Sequence, residues 1–245
     1  MSLADKLVSS FLAFELDIDI QSPVHSKRTK ALKGFEKLGF PTKKDEAWKY
    51  TSLKSIIKED FTIFSKKKNV LDFKNVKNYF LDNTETYKIV FVDGFFDPFL
   101  SQTSHDGVDI CILSAALTKP VYSKVISKCF DTSINTNDSL SLVNTAFAKE
   151  GVYVHIPKNK ILDKPIEVLH FATGNEAALM LQPRNLIVVE ENAQVEIIET
   201  HQSLTENPIF TNSVTEIFVG QNAHLDYYKI QNDRLMSSLI DNTYI

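Results

Sequence analysis

The chain has 245 residues, 43% of them hydrophobic, with 27 basic and 31 acidic side chains and a formal net charge of −4. That length and apolar share allow one large domain or two modest ones around a real core, and they exclude an intrinsically disordered chain. The mild acidity leaves no electrostatic footprint for nucleic acid.

Met1 to Lys6 carries charges where a secretory signal needs an apolar run, and no later stretch approaches the length of a membrane span. The expectation is a cytoplasmic protein with no nucleic-acid or membrane partner. Leu3, Leu7, Val8, Phe11 and Phe14 recur at helical spacing. A second helix runs through Arg28, Ala31, Leu32, Phe35 and Leu38, closed by Gly39 and by Pro41 beyond it. The single tryptophan, Trp48, is flanked by Lys49 and Tyr50. It reads as a surface anchor for a partner or, preferably, as a pin holding the helical region onto a sheet.

Lys66, Lys67 and Lys68 form a compact basic run read as a solvated turn. Ile89 to Gly94 reads as a buried strand ending in a glycine turn before Phe95 and Phe96, which makes the first part a small α+β region. Cys111 and Cys129 have no CxxC partner and no nearby histidine pair, so no zinc or iron–sulfur ligand set can be assembled around them; they are expected to be buried small apolar residues. A helix is predicted over Ser139 to Lys149, with Asp138 or Ser139 as cap, Leu142, Val143, Ala146 and Phe147 on one face, and Gly151 past its end. A domain boundary is placed there: residues 1–149 form the helical and small α+β region, and residues 150–245 a strand-rich core. With no glycine/serine or proline-rich linker between them, the two should pack directly.

The second part repeats itself. Ile156 to Asn159 with Leu162, Val189 to Val195, and Val219 to Leu225 superpose with their asparagines, Asn159, Asn192 and Asn222, at offsets of 33 and then 30 residues. Strands recurring at that spacing are the mark of a coiled sheet in which each turn stacks on the last. Ile187, Val189, Ala193, Val195 and Ile197 fall on Ile217, Val219, Ala223, Leu225 and Tyr227, while Gln194 and Glu196 fall on His224 and Asp226. This alternation predicts one row in a shared core and one in water. The asparagines should stack at successive corners in left-handed conformation. An antiparallel meander with coincidental spacing is the competing reading.

Two clusters in this part could carry chemistry. His170 and His201 lie close to one coil apart, which could put their imidazoles on adjacent rungs as a metal-binding pair; the next position is Gln231, a poor ligand, so a hydrogen-bonded surface row is preferred. Glu190, Glu191, Glu196 and Glu199 make an acidic patch of the kind a carbohydrate-active enzyme uses. The next coil carries Gly220, Gln221, Asp226 and Lys229 at those places, so solvated outer faces are preferred. No G-x-x-x-x-G-K-[ST] motif occurs, which excludes a P-loop in this chain.

Pro41-Thr42-Lys43-Lys44-Asp45-Glu46-Ala47-Trp48-Lys49-Tyr50-Thr51 resembles the amino-terminal signature of the SufD family of the Suf iron–sulfur cluster assembly system. Asn144 to Phe147, Gly151 to Pro157, Asp163 to Ile166 and Pro183 to Glu190 resemble later segments of that family, in the same order. The resemblance implies an amino-terminal helical region followed by a right-handed parallel β-helix. It also implies that the chain is incomplete at its carboxy end, since family members add further coils and a helical domain. The function it implies is that of a non-catalytic scaffold subunit pairing with SufB and the ATPase SufC. The iron–sulfur cluster would be assembled by that complex, with self-association through the β-helix as a further expectation. The related SufB shares the β-helix; the Trp48 to Thr51 string and the scarcity of cysteine point to SufD. The family's Cys and His proposed to act in cluster formation have no counterpart here, so no catalytic, cofactor-binding or metal residue is assigned. The alternatives are a β-helical carbohydrate-active enzyme and a left-handed β-helix acyltransferase; the spacing and the 7 glycines argue against the latter.

Overall fold

The computed structural model describes residues 1–18, 25–63, 69–82, 84–103, 107–174 and 178–245. The lysine run at Lys66, Lys67 and Lys68 lies outside them. Helix α1 (Leu3–Glu15) opens with a capping box between Ser2 and Asp5 and buries Leu3, Leu7, Phe11 and Phe14. Helix α2 (His25–Leu38) buries Arg28, Ala31, Leu32 and Phe35 and stops at Gly39, whose φ of 66° suits the residue after a helix end. Trp48 is half-buried at the end of a short 3₁₀ turn, packed against a core that these helices share with Met180 and Phe210.

After the single-turn helix α3 (Phe73–Val76), strand β1 (Tyr87–Val92) turns through Asp93 (φ 49°) and Gly94 (φ 80°) into β2 (Phe95–Phe96). An Asp-Gly pair with both φ positive is the two-residue turn that matches the twist of antiparallel strands. Then come β3 (Asp109–Ile112), α4 (Leu113–Thr118), α5 (Pro120–Cys129) and α6 (Ser139–Phe147). Asp138 caps α6 as predicted, but the helix ends two residues early and is buried all round instead of on one face. The reason is its position: α6 packs against α2 on one side and strand residues on the other, and Arg28 of α2 donates to the Ala148 carbonyl at its end.

From Gly151 onward the chain builds β4 (Val152–Ile156), β5 (Ile166–Ala172), β6 (Leu179–Leu181), β7 (Arg184–Val189), β8 (Gln194–Ser203), β9 (Ile209–Val219), β10 (His224–Gln231) and β11 (Ser237–Tyr244). They form two sheets, ordered β10-β8-β5-β1-β2 and β11-β9-β7-β4-β3, with β6 also paired to β9. Apart from β6, the chain alternates between the sheets from β4 on, and each return lays a strand parallel to the one a circuit earlier. Val154 pairs with Ile187, Ile187 with Ile217, and Val189 with Val219. On the other sheet Ile166 pairs with Ile197, and Val195 with Leu225. These parallel pairings overturn the meander reading. Asn159 (φ 62°), Asn192 (φ 58°) and Asn222 (φ 55°) occupy the corners in left-handed conformation. The Asn192 side chain donates to Asn159 Oδ1 at 2.9 Å.

Two strands from before residue 150 extend the sheets: β1 is parallel to β5, and β3 antiparallel to β4. Between the sheets lies a core of Ile89, Phe91, Val154, Ile156, Val168, Ile187, Val195 and Ile197, among others. Helices cover the outer faces. α4 and α5 pack on Tyr153, Leu186 and Val188, while Val76 and Phe80 pack on Val90, Val92, Leu169 and Phe171. β5 and β7 are therefore buried on both faces, while the expected polar outer row appears in the first half of β8, at Gln194 and Glu196, and in β10, at His224 and Asp226. Cys111 and Cys129 are free thiols at the edge of the α4/α5 core, half-buried instead of fully enclosed. Burial pushes the Cys111 thiol up to about 11.

A buried ion pair ties the helical layer to the sheet. Arg184 and Glu216, both fully buried, pair on the outer face of β7 and β9. Glu216 also accepts the backbone N–H groups of Asp131 (2.8 Å), Thr132 (3.1 Å) and Ser133 (3.3 Å), in the loop that leads into α6.

Candidate functional site

Two rung-to-rung ladders of the β10-β8-β5-β1 sheet define the site. In one, Phe91, His170, His201 and Gln231 are successive register partners; in the other, Ile89, Val168, Glu199 and Lys229 are. Side chains two apart on a strand share a face. Glu199 and His201 therefore point the same way as Val195 and Ile197, into the space between the sheets. His170 follows Ile166 and Val168 in the same manner.

The imidazoles of His170 and His201 stack with ring centres 4.7 Å apart and planes within 8°, and Phe91 stacks on the far face of His170 at 5.0 Å. The residues that looked like a surface row are buried: His170 is 9% exposed, His201 3% and Glu199 1%. β5 and β8 carry their even and odd positions, respectively, into the interior.

Glu199 is the hub. Its Oε1 lies 3.0 Å from His201 Nε2 and 3.4 Å from His170 Nε2. Asn185, reaching across from β7, donates to both carboxylate oxygens at 3.2 and 3.3 Å. Tyr227 donates to Oε2, and Lys229 Nζ sits 3.7 Å from that oxygen. Burial alone would push the Glu199 carboxyl up, but the Lys229 charge and the two imidazoles beside Oε1 together hold it well below the usual range. Burial pushes His170 down, against the pull of Glu199. The result is a buried carboxylate beside a neutral imidazole. His170 Nε2 makes no well-formed hydrogen bond among the described residues.

Two pockets open onto this cluster. One is lined by Phe14, Asp93, Lys149, Glu150 and His170, the other by Phe91, Gly94, His170, His201, Thr211 and Asp233. Glu150, whose Oε2 is buried without a partner among the described residues, is pushed by burial up to about 7.

The remaining candidates do not converge. Glu190 pairs with His155 at 3.0 Å, Glu191 with Lys158 at 2.7 Å, and Glu196 is exposed on the outer face, so the four acids form no common cleft and Glu199 leaves them altogether. Gln231 is the register partner of His201, as its position foretold, but is exposed. The third polar group beside the histidines, Glu199, comes from the neighbouring ladder. Its acidity alone suggests solvation, but its odd position in β8 carries it inside.

The chain matches two family models in succession: SufBD protein N-terminal region over residues 6–168, and SUF system FeS cluster assembly, SufBD core domain, over residues 170–245. It is 30% identical to an iron-sulfur cluster assembly SufBD family protein of Synechocystis sp., covering 94% of this chain and 55% of that protein. It is 25% identical to the iron-sulfur cluster assembly protein SufD of Escherichia coli, covering 81% of this chain and 44% of that one. A shorter match, 29% identical over 38% of this chain, is to SufD of Bacillus subtilis. The chain spans about half the length of the first two. Among the described residues no helix is long and apolar enough to cross a membrane.

Proposed function

The chain belongs to the SufBD family, and from that premise we propose that it acts as a SufD-like, non-catalytic scaffold subunit of cytoplasmic iron–sulfur cluster assembly, pairing with a SufB-like chain and a SufC-like ATPase. The observation that carries the reading is the tandem match, an amino-terminal region and then a core domain in the family's order, over nearly the whole chain. The two-sheet coil fits the role. Parallel strands in register from β4 to β11, cored by aliphatic side chains, make a stiff frame against which an ATPase-driven partner can move.

We read the coil as a right-handed parallel β-helix. Parallel strands of one sheet joined through a crossover take the right-handed path in nearly all proteins, because of strand twist. The carbohydrate-active alternative is not favoured, since the acids it would need face different partners. The test is co-purification: the chain, expressed with a SufB-like and a SufC-like subunit of the same genome, should elute with them as one complex by size exclusion with light scattering. A chain that elutes alone in the presence of both overturns the proposal.

A further inference from the structure

We propose that His170 Nε2, His201 Nε2 and Glu199 Oε1 together bind one divalent first-row transition ion between the sheets, a mononuclear site separate from any iron–sulfur cluster. The three ligand atoms lie within 4.8 Å of one another. The carboxylate oxygen is 3.0 and 3.4 Å from the two nitrogens. Donors around a tetrahedral ion with bonds of about 2 Å stand about 3.3 Å apart, so the spacing suits one ion, and binding requires the imidazoles, now within 8° of parallel, to rotate out of their stack until both Nε2 lone pairs aim at it. Two imidazoles and one carboxylate suit zinc, iron, cobalt or nickel, and do not suit magnesium or calcium, which take all-oxygen sets.

Three further observations point to a ligand. His170 Nε2 is buried and, though 3.4 Å from Glu199 Oε1, makes no well-formed hydrogen bond among the described residues, an exception that an ion would remove. The pocket reaching both His170 and His201 gives an ion a way in and leaves room for a water or exogenous ligand at an open position. The supporting groups are also in place: Asn185 and Tyr227 hold the carboxylate and Phe91 backs the His170 ring, which is how outer partners fix ligand geometry. Lys229 lies against Oε2, so Glu199 meets the ion through Oε1 alone. Elsewhere His155 offers one imidazole whose two nitrogens face Asp109 and Glu190, and among the described residues His25 meets a single carboxylate, Glu15.

The test uses the 245-residue chain purified without a histidine tag, dialysed against zinc or cobalt(II), with bound metal counted by plasma mass spectrometry. One ion per chain is expected, with the intense visible bands of four- or five-coordinate cobalt. His201→Gln and Glu199→Gln should each weaken binding at least tenfold while the far-ultraviolet circular dichroism is kept, and His155→Gln should bind as the unaltered chain does. Should a variant fail to fold, X-ray absorption at the zinc edge of the unaltered chain still decides: two imidazoles in the first shell support the site, and a shell of water oxygens or a single imidazole overturns it. Metal well below one per chain, equal affinity in the folded Glu199 and His201 variants, or loss of binding in His155→Gln also overturns it. Neither sulfide nor a partner subunit enters the assay, so its failure is separate from failure of the family role.

Discussion

Replacing Glu216 with glutamine removes one charge and no volume, and the structure says which bonds it costs. Oε2 serves the Arg184 guanidinium and the Asp131 N–H, while Oε1 serves the N–H groups of Thr132 and Ser133. An amide has one oxygen, so in either orientation its NH₂ faces two donors that it cannot satisfy. Hydrogen bonds to a charged group contribute about 1.5–3 kcal/mol each, so two lost bonds cost about 4 kcal/mol. That agrees with the roughly 3–5 kcal/mol expected when one partner of a buried ion pair is removed and the other stays buried. Urea unfolding at pH 7 followed by circular dichroism should show that loss at unchanged m. The expected companion is Arg184→Met, which leaves Glu216 its three backbone donors and so should cost less than Glu216→Gln. A Glu216→Gln loss below about 1 kcal/mol would refute the reasoning that this pair and its loop donors act as a clamp.

Other outcomes follow from single positions. A Cβ at Gly151 would meet the Arg184 carbonyl oxygen at 1.8 Å and its carbonyl carbon at 2.4 Å, backbone atoms that cannot swing aside, so Gly151→Ala should cost about 3 kcal/mol in the same urea assay. Asn192→Ala places a Cβ-bearing residue without a turn-forming side chain at φ 58° and removes the bond to Asn159, for a loss of about 1–2 kcal/mol; Asn192→Gly should recover most of it, since glycine adopts that φ freely. Glu150, ordinarily near 4.5, stays protonated in the folded chain up to about 7. Between those values the unfolded chain ionises first, so stability falls as pH rises from 4.5 to 7, by about 3 kcal/mol. Glu150→Gln should match the unaltered chain near pH 4.5 and exceed it by that amount at pH 8, read from urea midpoints at the two pH values.

How much of this was legible in the residues depends on what fixes each feature. The pairing of Ile187 with Ile217 and of Val195 with Leu225, and the left-handed Asn159, Asn192 and Asn222, are dictated by short-range rules: strand period and the backbone freedom of asparagine. The spacing of His170 and His201 likewise foretold their register. The second face of β5 and β7 is different, since it is buried where alternation expects water. The burial of β5 and β7 on both sides depends on helices packed from distant parts of the chain, which no local period records. Glu199 is a different case. Counting in twos from Val195 puts it inside, but a carboxylate is expected in water unless its partners are known, and Asn185, Tyr227 and Lys229 come from other rungs.

The measurement that bears most directly on the scaffold reading is anaerobic reconstitution with iron and sulfide, once on the isolated chain and once on the chain mixed with its SufB-like and SufC-like partners. The account predicts no acid-labile sulfide and no visible cluster absorbance on the chain alone, whatever mononuclear metal it holds, and a cluster in the mixture. A stoichiometric iron–sulfur cluster bound tightly by the isolated chain would contradict it.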